Sequence, residues 1–389
     1  MRELDYRKIA FRHVAIAHNQ IWFCNQYYSA LFKLDIKEQK IYFESGLPCC
    51  NSMGANQFAA LAWNNGKLII APQNAMSVLI YNPKYREIKS IPLDMERYAK
   101  GKKCNYFFDA VSYKNKVFLF PGTFEAIVQV DVISEEITYI TEWFSSIKNY
   151  IQDHKKIIFS IGNYQVEEKI YLPFWQGNVV MIFDMVSLQC SFHKMKCEDF
   201  EFSSIIVKDE NWWISAKNRN EIIQYNAIEN NVRLIQIMNL LEGDIHSDNY
   251  VMLDIDDKLY LIPRNGNIII SYNIKTGELI RETEITMRCG LEQLEYVYEH
   301  INYICCEKKG NWIVAYSNYT ASIEIINLNT KEKMSIPAYL TEDMDLRSII
   351  KENQNIKNYN LRSMRCENGE INLRNFLRLL GVSDEKNRG

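Results

Sequence analysis

Short apolar runs alternate with polar breaks along nearly the whole chain, and the breaks carry turn-forming residues. The stretch Lys67–Leu93, KLIIAPQNAMSVLIYNPKYREIKSIPL, shows the unit. An apolar run, Leu68–Ala71, ends on Pro72, and a polar loop follows. A second run, Val78–Tyr81, ends on Asn82. A tight turn around Pro83–Arg86 leads to a third, Glu87–Leu93. Upstream, Phe58–Trp63 supplies another run, closed by Asn64-Asn65-Gly66. Runs of this length bounded by Gly, Pro and Asn predict four short antiparallel strands.

The unit recurs. The residue that ends its third strand is Asp35, Asn82, Asp131, Asp184, Asn226, Asn273 and Asn327, in LFKLD, VLIYN, IVQVD, VVMIFD, EIIQYN, IIISYN and IEIIN. Asp and Asn suit this place because their side chains accept a hydrogen bond from backbone two residues on, which starts a turn. Pro72, Pro121, Pro173 and Pro263 close or nearly close the second strand, where a missing N–H is tolerated because the ladder stops. Four strands repeated at a period in the forties predict the blades of a β-propeller.

Seven matches predict an all-β, seven-bladed propeller of four-stranded antiparallel blades over residues 13–338. The blades fall at about 13–44, 57–93, 106–141, 157–195, 201–238, 248–285 and 302–338. Residues 1–12 form an N-terminal segment in which Tyr6–Phe11 is a candidate ring-closing strand. Residues 339–389 are a C-terminal extension with a short helix at Ile371–Leu380, where Ile371, Phe376, Leu377 and Leu380 take helical spacing before Gly381. Strands such as Val179–Phe183 are apolar at consecutive positions, as a sheet covered on both faces requires. The turns after first and third strands are short. The remaining loops, long and gathered on the opposite face, include Asp94–Asn105, Glu142–Lys156 and Met287–Ile301. Helical segments are predicted at Glu142–Gln152 and Leu291–Ile301. Binding residues collect on long loops of a rigid scaffold, so the long-loop face is the expected functional face.

At 389 residues the chain exceeds one ordinary core, which a repeat array accommodates. It is 47% hydrophobic and 13% aromatic, with 45 basic and 48 acidic side chains and a net charge of −3. That balance gives no reason to expect nucleic acid or a membrane surface as partner. The charged start MRELDYRKIAFRH lacks the apolar core of a secretory signal, and no apolar run is long enough to span a bilayer. The ten cysteines include no CxxC pair. Cys24, Cys305 and Cys306 lie in apolar strands as small hydrophobes. Together these predict a cytoplasmic chain with reduced thiols. Abundant Ile, Lys and Asn suit a bacterial, AT-rich source.

The unit "apolar strand, Pro, polar loop, xIxxxD/N, turn, strand" resembles the bacterial β-propellers of the broad kelch, YVTN and WD40-like superfamily, across about residues 13–338. The kelch double glycine, the Trp-Asp repeat ending and the sialidase SxDxGxTW box are missing. The resemblance therefore implies the architecture and leaves the chemistry to individual residues.

Two groups of residues are candidates. The loops after second strands carry Tyr27, Tyr28, Gln73, Asn74, Phe124, Glu125, Trp175, Gln176, Lys217, Arg219, Arg264, Asn265, Asn318 and Tyr319. Aromatic faces beside amides and charges are the makings of a pocket for a sugar, a peptide or a protein partner; against this stands simple packing between blades. The entries to first strands place His13, Gln57, Asp109, Ser160, Ser204 and Asn249 at the channel mouth. A His and an Asp there could transfer protons or hold a divalent ion, against the ordinary reading of a polar, water-lined channel. Asp254, Asp256 and Asp257 lack the Gly and Glu of a calcium loop and read as a solvated turn. The basic loop with Arg97, Lys100, Lys102 and Lys103 is flanked by acids and reads likewise. Asp153-His154 has no nucleophile motif beside it. No phosphate-binding, dinucleotide-binding, hydrolase or zinc motif occurs, so no cofactor and no metal are expected. The leading expectation is a non-catalytic recognition or scaffold module using the long-loop face. The alternative is a propeller lyase or hydrolase working through His13 and Asp109, with or without a divalent ion.

Overall fold

The computed structural model describes residues 8–26, 29–48, 56–101, 105–150, 159–160, 162–175, 177–196, 200–217, 219–237, 250–264, 268–282, 303–317 and 320–340. These form seven four-stranded antiparallel sheets, each in sequence order from first to fourth strand. The sheets cover residues 15–46, 58–92, 107–140, 164–194, 202–236, 250–281 and 303–337 and are numbered blades 1 to 7. First strands of neighbouring blades lie side by side, as at Phe58–Asn64 against Phe107–Tyr113 and Phe202–Lys208 against Tyr250–Ile255, so they line the channel. The chain is a seven-bladed β-propeller.

Turn chemistry sets each blade. In all seven, the side-chain oxygen of the Asp or Asn ending the third strand accepts the backbone N–H two residues on. The distances are 2.9 Å at Asp35, 3.1 Å at Asn82, 2.9 Å at Asp131 and 2.9 Å at Asp184. They are 3.0 Å at Asn226, 2.9 Å at Asn273 and 2.9 Å at Asn327. The N–H donated by Ser134 holds the Asp131 carboxyl below its ordinary value, and that of Ser187 does the same for Asp184.

Packing then closes the ring. One apolar cluster sits between each pair of adjacent blades among the described residues, seven in all. The cluster between blades 7 and 1 is completed by the N-terminal segment. Ile9, Ala10 and Phe11 pack with Phe23 and Phe32 of blade 1 and with Val314, Tyr316 and Ile323 of blade 7. Lys8 bridges Tyr339 in antiparallel sense, and the Ile9 N–H donates to the Ala338 carbonyl at 2.8 Å. Hydrogen bonds and apolar burial thus meet at the junction of blades 7 and 1, where the ring closes.

The long loops carry two short helices, Met95–Tyr98 and Glu142–Ser146, the second running into a 3-10 turn at Ile147–Asn149. The first was not expected from the sequence; Asp94 caps it by accepting the Arg97 N–H at 3.1 Å. The helix expected at Leu291–Ile301 and the helical segment at Ile371–Leu380 lie outside the described residues, as does Asp153-His154. Among the described residues no helix is long and apolar enough to cross a membrane.

Candidate functional site

The channel brings together residues that the sequence separates widely. His13 precedes the first strand of blade 1, Asp109 lies in the inner strand of blade 3, and Glu307 lies in that of blade 7. His13 Nε2 is 3.0 Å from Asp109 Oδ1 and 3.3 Å from Glu307 Oε1. The backbone N–H of Leu61, in blade 2, points at His13 Nδ1 across 3.3 Å. Two carboxylates therefore share one donor, His13 Nε2.

Electrostatics follow from this crowding. Burial alone would lower the His13 pKa, but the Glu307 charge and the Asp109 hydrogen bond and charge outweigh it and lift it to about 9. Desolvation and the like charge of Asp109 push Glu307 up to about 7, against the pull of His13. Glu307 nevertheless keeps 37% of its side-chain surface accessible. Water reaches it through the channel while the walls still strip most of its hydration. Glu307 was missed in the sequence, where its one signal is a carboxylate following the apolar run Ile304–Cys306.

Ser160, Ser204 and Gln57, expected beside this pair, are buried. Ser160 Oγ donates to the Ser203 carbonyl, and Ser204 Oγ lies 3.0 Å from Ser215 Oγ and accepts the Met252 N–H at 2.9 Å. The carbonyl of Gln57 accepts the N–H groups of Gln73, Asn74 and Ala75. These groups tie blades to each other and to their own loops. Asn249 lies outside the described residues. A second charged group sits where first strands end at the tight-turn face. Asp254 is met by Lys308 at 3.2 Å, by Lys208 at 3.7 Å and by the Tyr164 hydroxyl at 2.9 Å. Burial opposes the ionised form, but Lys308 and the Tyr164 hydrogen bond prevail and Asp254 is held below its ordinary value. The residue is a structural ion-pair centre instead of the solvated turn expected.

The loops after second strands divide into packing and surface. Phe124 is 1% exposed and packs on Tyr98, Tyr106 and Phe107, so its ring belongs to the core. Gln73 is buried and donates to Asn105 Oδ1 at 2.7 Å; Asn74 Oδ1 accepts the Asn105 N–H at 3.1 Å. Arg264 is buried. Glu125 pairs with Lys100, whose ammonium also lies over Phe144, so Lys100 of the basic loop is partnered. Tyr27, Tyr28, Gln176, Asn265, Asn318 and Tyr319 lie outside the described residues, as do Lys102 and Lys103.

What remains accessible is gathered between blades 4 and 5. The Lys217 ammonium lies 4.9 Å from the centre of the Trp175 ring, and the Arg219 guanidinium 4.8 Å from that of Phe200. Trp175, Lys217 and Arg219 are half-buried. Among the described residues no carboxylate lies within ion-pair distance of Lys217.

Fold and geometry together define a seven-bladed propeller with a titratable channel and a cation–aromatic rim. No family model matches the chain, and no curated protein matches it. Solved structures do. Virginiamycin B lyase from Staphylococcus aureus superposes with a TM-score of 0.55 at 10% identity, over 81% of this chain and 94% of that one. YCF48 bound to D1 peptide matches with a TM-score of 0.55 at 8% identity, over 81% and 91%. A chain of the mitotic checkpoint complex matches at 0.51 with 10% identity, over 82% and 92%. At such identities the likeness is one of fold, and that fold serves both a lyase and proteins seen in complexes.

Proposed function

We propose that this propeller is a recognition module that binds a protein partner or a polar ligand, a sugar or peptide, on its long-loop face between blades 4 and 5. The observation that carries the reading is Lys217, a half-buried ammonium held over Trp175 with no carboxylate in ion-pair range among the described residues. A cation in that setting is stabilised by the ring and remains able to accept an oxyanion or a polar group from a ligand. Few residues dominate such surfaces, with Trp and Arg prominent among them. Trp175→Ala and Arg219→Ala should each weaken capture by more than about 1 kcal/mol, with melting temperature preserved. Lys275→Ala and Asp257→Ala, at the opposite face, should leave capture unchanged. The measurement is a pull-down from the native host followed by binding titrations with the four variants. Loss of capture in the latter pair but not in Trp175→Ala would place the functional face on the wrong side.

The convergence of His13, Asp109 and Glu307 supports a second reading, a lyase or hydrolase using channel acid–base chemistry. In it Glu307 exchanges the proton, because its carboxyl is water-accessible and its pKa lies near 7. Among the described residues no group of three or more His, Cys, Asp or Glu side chains is arranged to hold a metal ion.

The proton site can be checked without a substrate. His13 titrates about 9 in the fold against an ordinary 6.5, so its stabilisation is full below 6.5 and lost as pH rises through 9. Glu307 is likewise raised, so its contribution falls between its ordinary 4.5 and about 7. Melting temperature should therefore decline from pH 5 to pH 9.5. Glu307→Gln should flatten the part below pH 7 and, by removing the charge that lifts His13, move the remaining decline to lower pH. Superimposable profiles for wild type and Glu307→Gln would remove the second reading.

A further inference from the structure

The tight-turn face carries a surface that neither reading above uses. Among the described residues the exposed large hydrophobics are Tyr85, Ile133, Val166, Val186, Ile228 and Leu234. Five of these belong to the adjacent blades 3, 4 and 5. Ile133, Val186 and Ile228 occupy one repeated position, two residues after the turn-forming Asp or Asn, whose N–H is donated to that side chain. They are 72%, 59% and 75% exposed, so the fold presents this position to solvent in each of these blades. The same position holds Lys37, Lys84, Lys275 and Asn329 in blades 1, 2, 6 and 7. An aliphatic choice at a solvent-facing turn, made in three consecutive blades and nowhere else, marks a contact surface.

Charge says what kind of partner fits. The tight turns of blades 3 to 5 expose the carboxylates of Glu136, Glu167, Asp209, Glu210 and Glu229, against two exposed lysines, Lys114 and Lys169. The complement is an apolar segment with basic residues. The chain contains one in Ile371–Leu380, INLRNFLRLL, outside the described residues. At helical spacing its apolar residues Leu373, Phe376, Leu377 and Leu380 share one face, Arg374 and Arg378, four apart, lie together outside it, and the segment holds no acidic residue. The intervening residues from Leu340 give it a tether of roughly 100 Å when extended, enough to reach either face.

We infer that the C-terminal segment Ile371–Leu380 docks on the acidic, aliphatic arc formed by the tight turns of blades 3 to 5. Its apolar residues cover Ile133, Val186 and Ile228 tips, and Arg374 and Arg378 meet the surrounding carboxylates. This leaves the long-loop face open, so the docking is compatible with ligand capture there.

Hydrogen exchange of the full chain, read by mass spectrometry on peptides covering residues 371–380, tests this. In the wild type these amides should exchange at least tenfold more slowly than an unstructured peptide. The protection should be lost in Ile133→Asp/Val186→Asp/Ile228→Asp and in Phe376→Asp, and weakened severalfold in 0.5 M NaCl. It should persist in Lys37→Asp/Lys275→Asp, which alters the same turn position outside the arc. Should the triple variant not fold, Ile228→Asp alone is read in the same way. Unprotected amides in the wild type, or equal protection in the arc variants, would overturn the proposal. Protection that rises with protein concentration, together with a dimer by light scattering, would assign the arc to a second copy and overturn it as well.

Discussion

Replacing Phe11 with alanine should cost about 3–5 kcal/mol of folding stability, the range for deleting a fully buried aromatic side chain. The side chain is 0% exposed, and its ring stacks on Phe23 at 4.3 Å and meets Tyr316 at 4.3 Å. One contact belongs to blade 1 and the other to blade 7, so the cavity would open in the interface that closes the ring. Domains of this kind are stable by only about 5–15 kcal/mol, which makes the loss a large share. Urea unfolding should show a lower midpoint with an unchanged slope. Removing residues 1–12 should go further and reduce solubility, because it uncovers the blade 7–blade 1 junction. Removing residues 383–389 should not. A Phe11→Ala chain that loses less than about 1 kcal/mol, below the range for an aromatic core deletion, would mean that the N-terminal segment is dispensable for closure.

Gly162→Ala is the other substitution expected to be severe. The inner edges of blades 4 and 5 touch through backbone here. The Gly162 N–H donates to the Ser203 carbonyl at 3.2 Å, and its own carbonyl accepts the Ile205 N–H at 3.0 Å. A β-carbon at Gly162 would lie 2.0 Å from Ser204 Cβ and 2.6 Å from Ser204 Cα. Neither atom can swing away, because Ser204 is in the inner strand and its hydroxyl is bonded to blade 6 through the Met252 N–H. Separating the two blades should cost about 3 kcal/mol, the upper part of the overpacking range. Gly66→Ala is the useful comparison. It has open space around it and a φ of +76°, so its cost is backbone strain alone, about 1–2 kcal/mol. Thermal melting of the two variants side by side decides the matter. A Gly162→Ala chain that melts at or above the Gly66→Ala chain would show that the blades accommodate the methyl group.

Much of the fold was legible because its instructions are local. Each Asp or Asn at the end of a third strand acts on backbone two residues away, and all but Asn82 also on backbone three residues away, so its neighbours in sequence suffice to recognise it. Strand lengths, turn positions and blade number follow from seven repetitions of that signal. The pairing of His13 with Asp109 was a matter of residue type and strand position, but its separation of 3.0 Å was not. Phe124 reads as a ligand-facing aromatic in its loop, yet the adjoining helix Met95–Tyr98 supplies Tyr98 to cover it.

The repeat, the turn chemistry and the division into a tight-turn face and a long-loop face are written locally in the chain. Which polar residues are paired and which are accessible is settled when the blades pack. That packing added Glu307 to the channel pair, put Lys217 over Trp175, and consumed Ser160 and Ser204 in contacts between blades. One cause accounts for all three. A propeller joins its blades sideways and around a shared channel, so the partner of a side chain on one blade usually lies on another blade, some 40 to 300 residues away in the chain. A repeat pattern reports each blade's own hydrogen-bonded ladder and carries no record of the distances between blades.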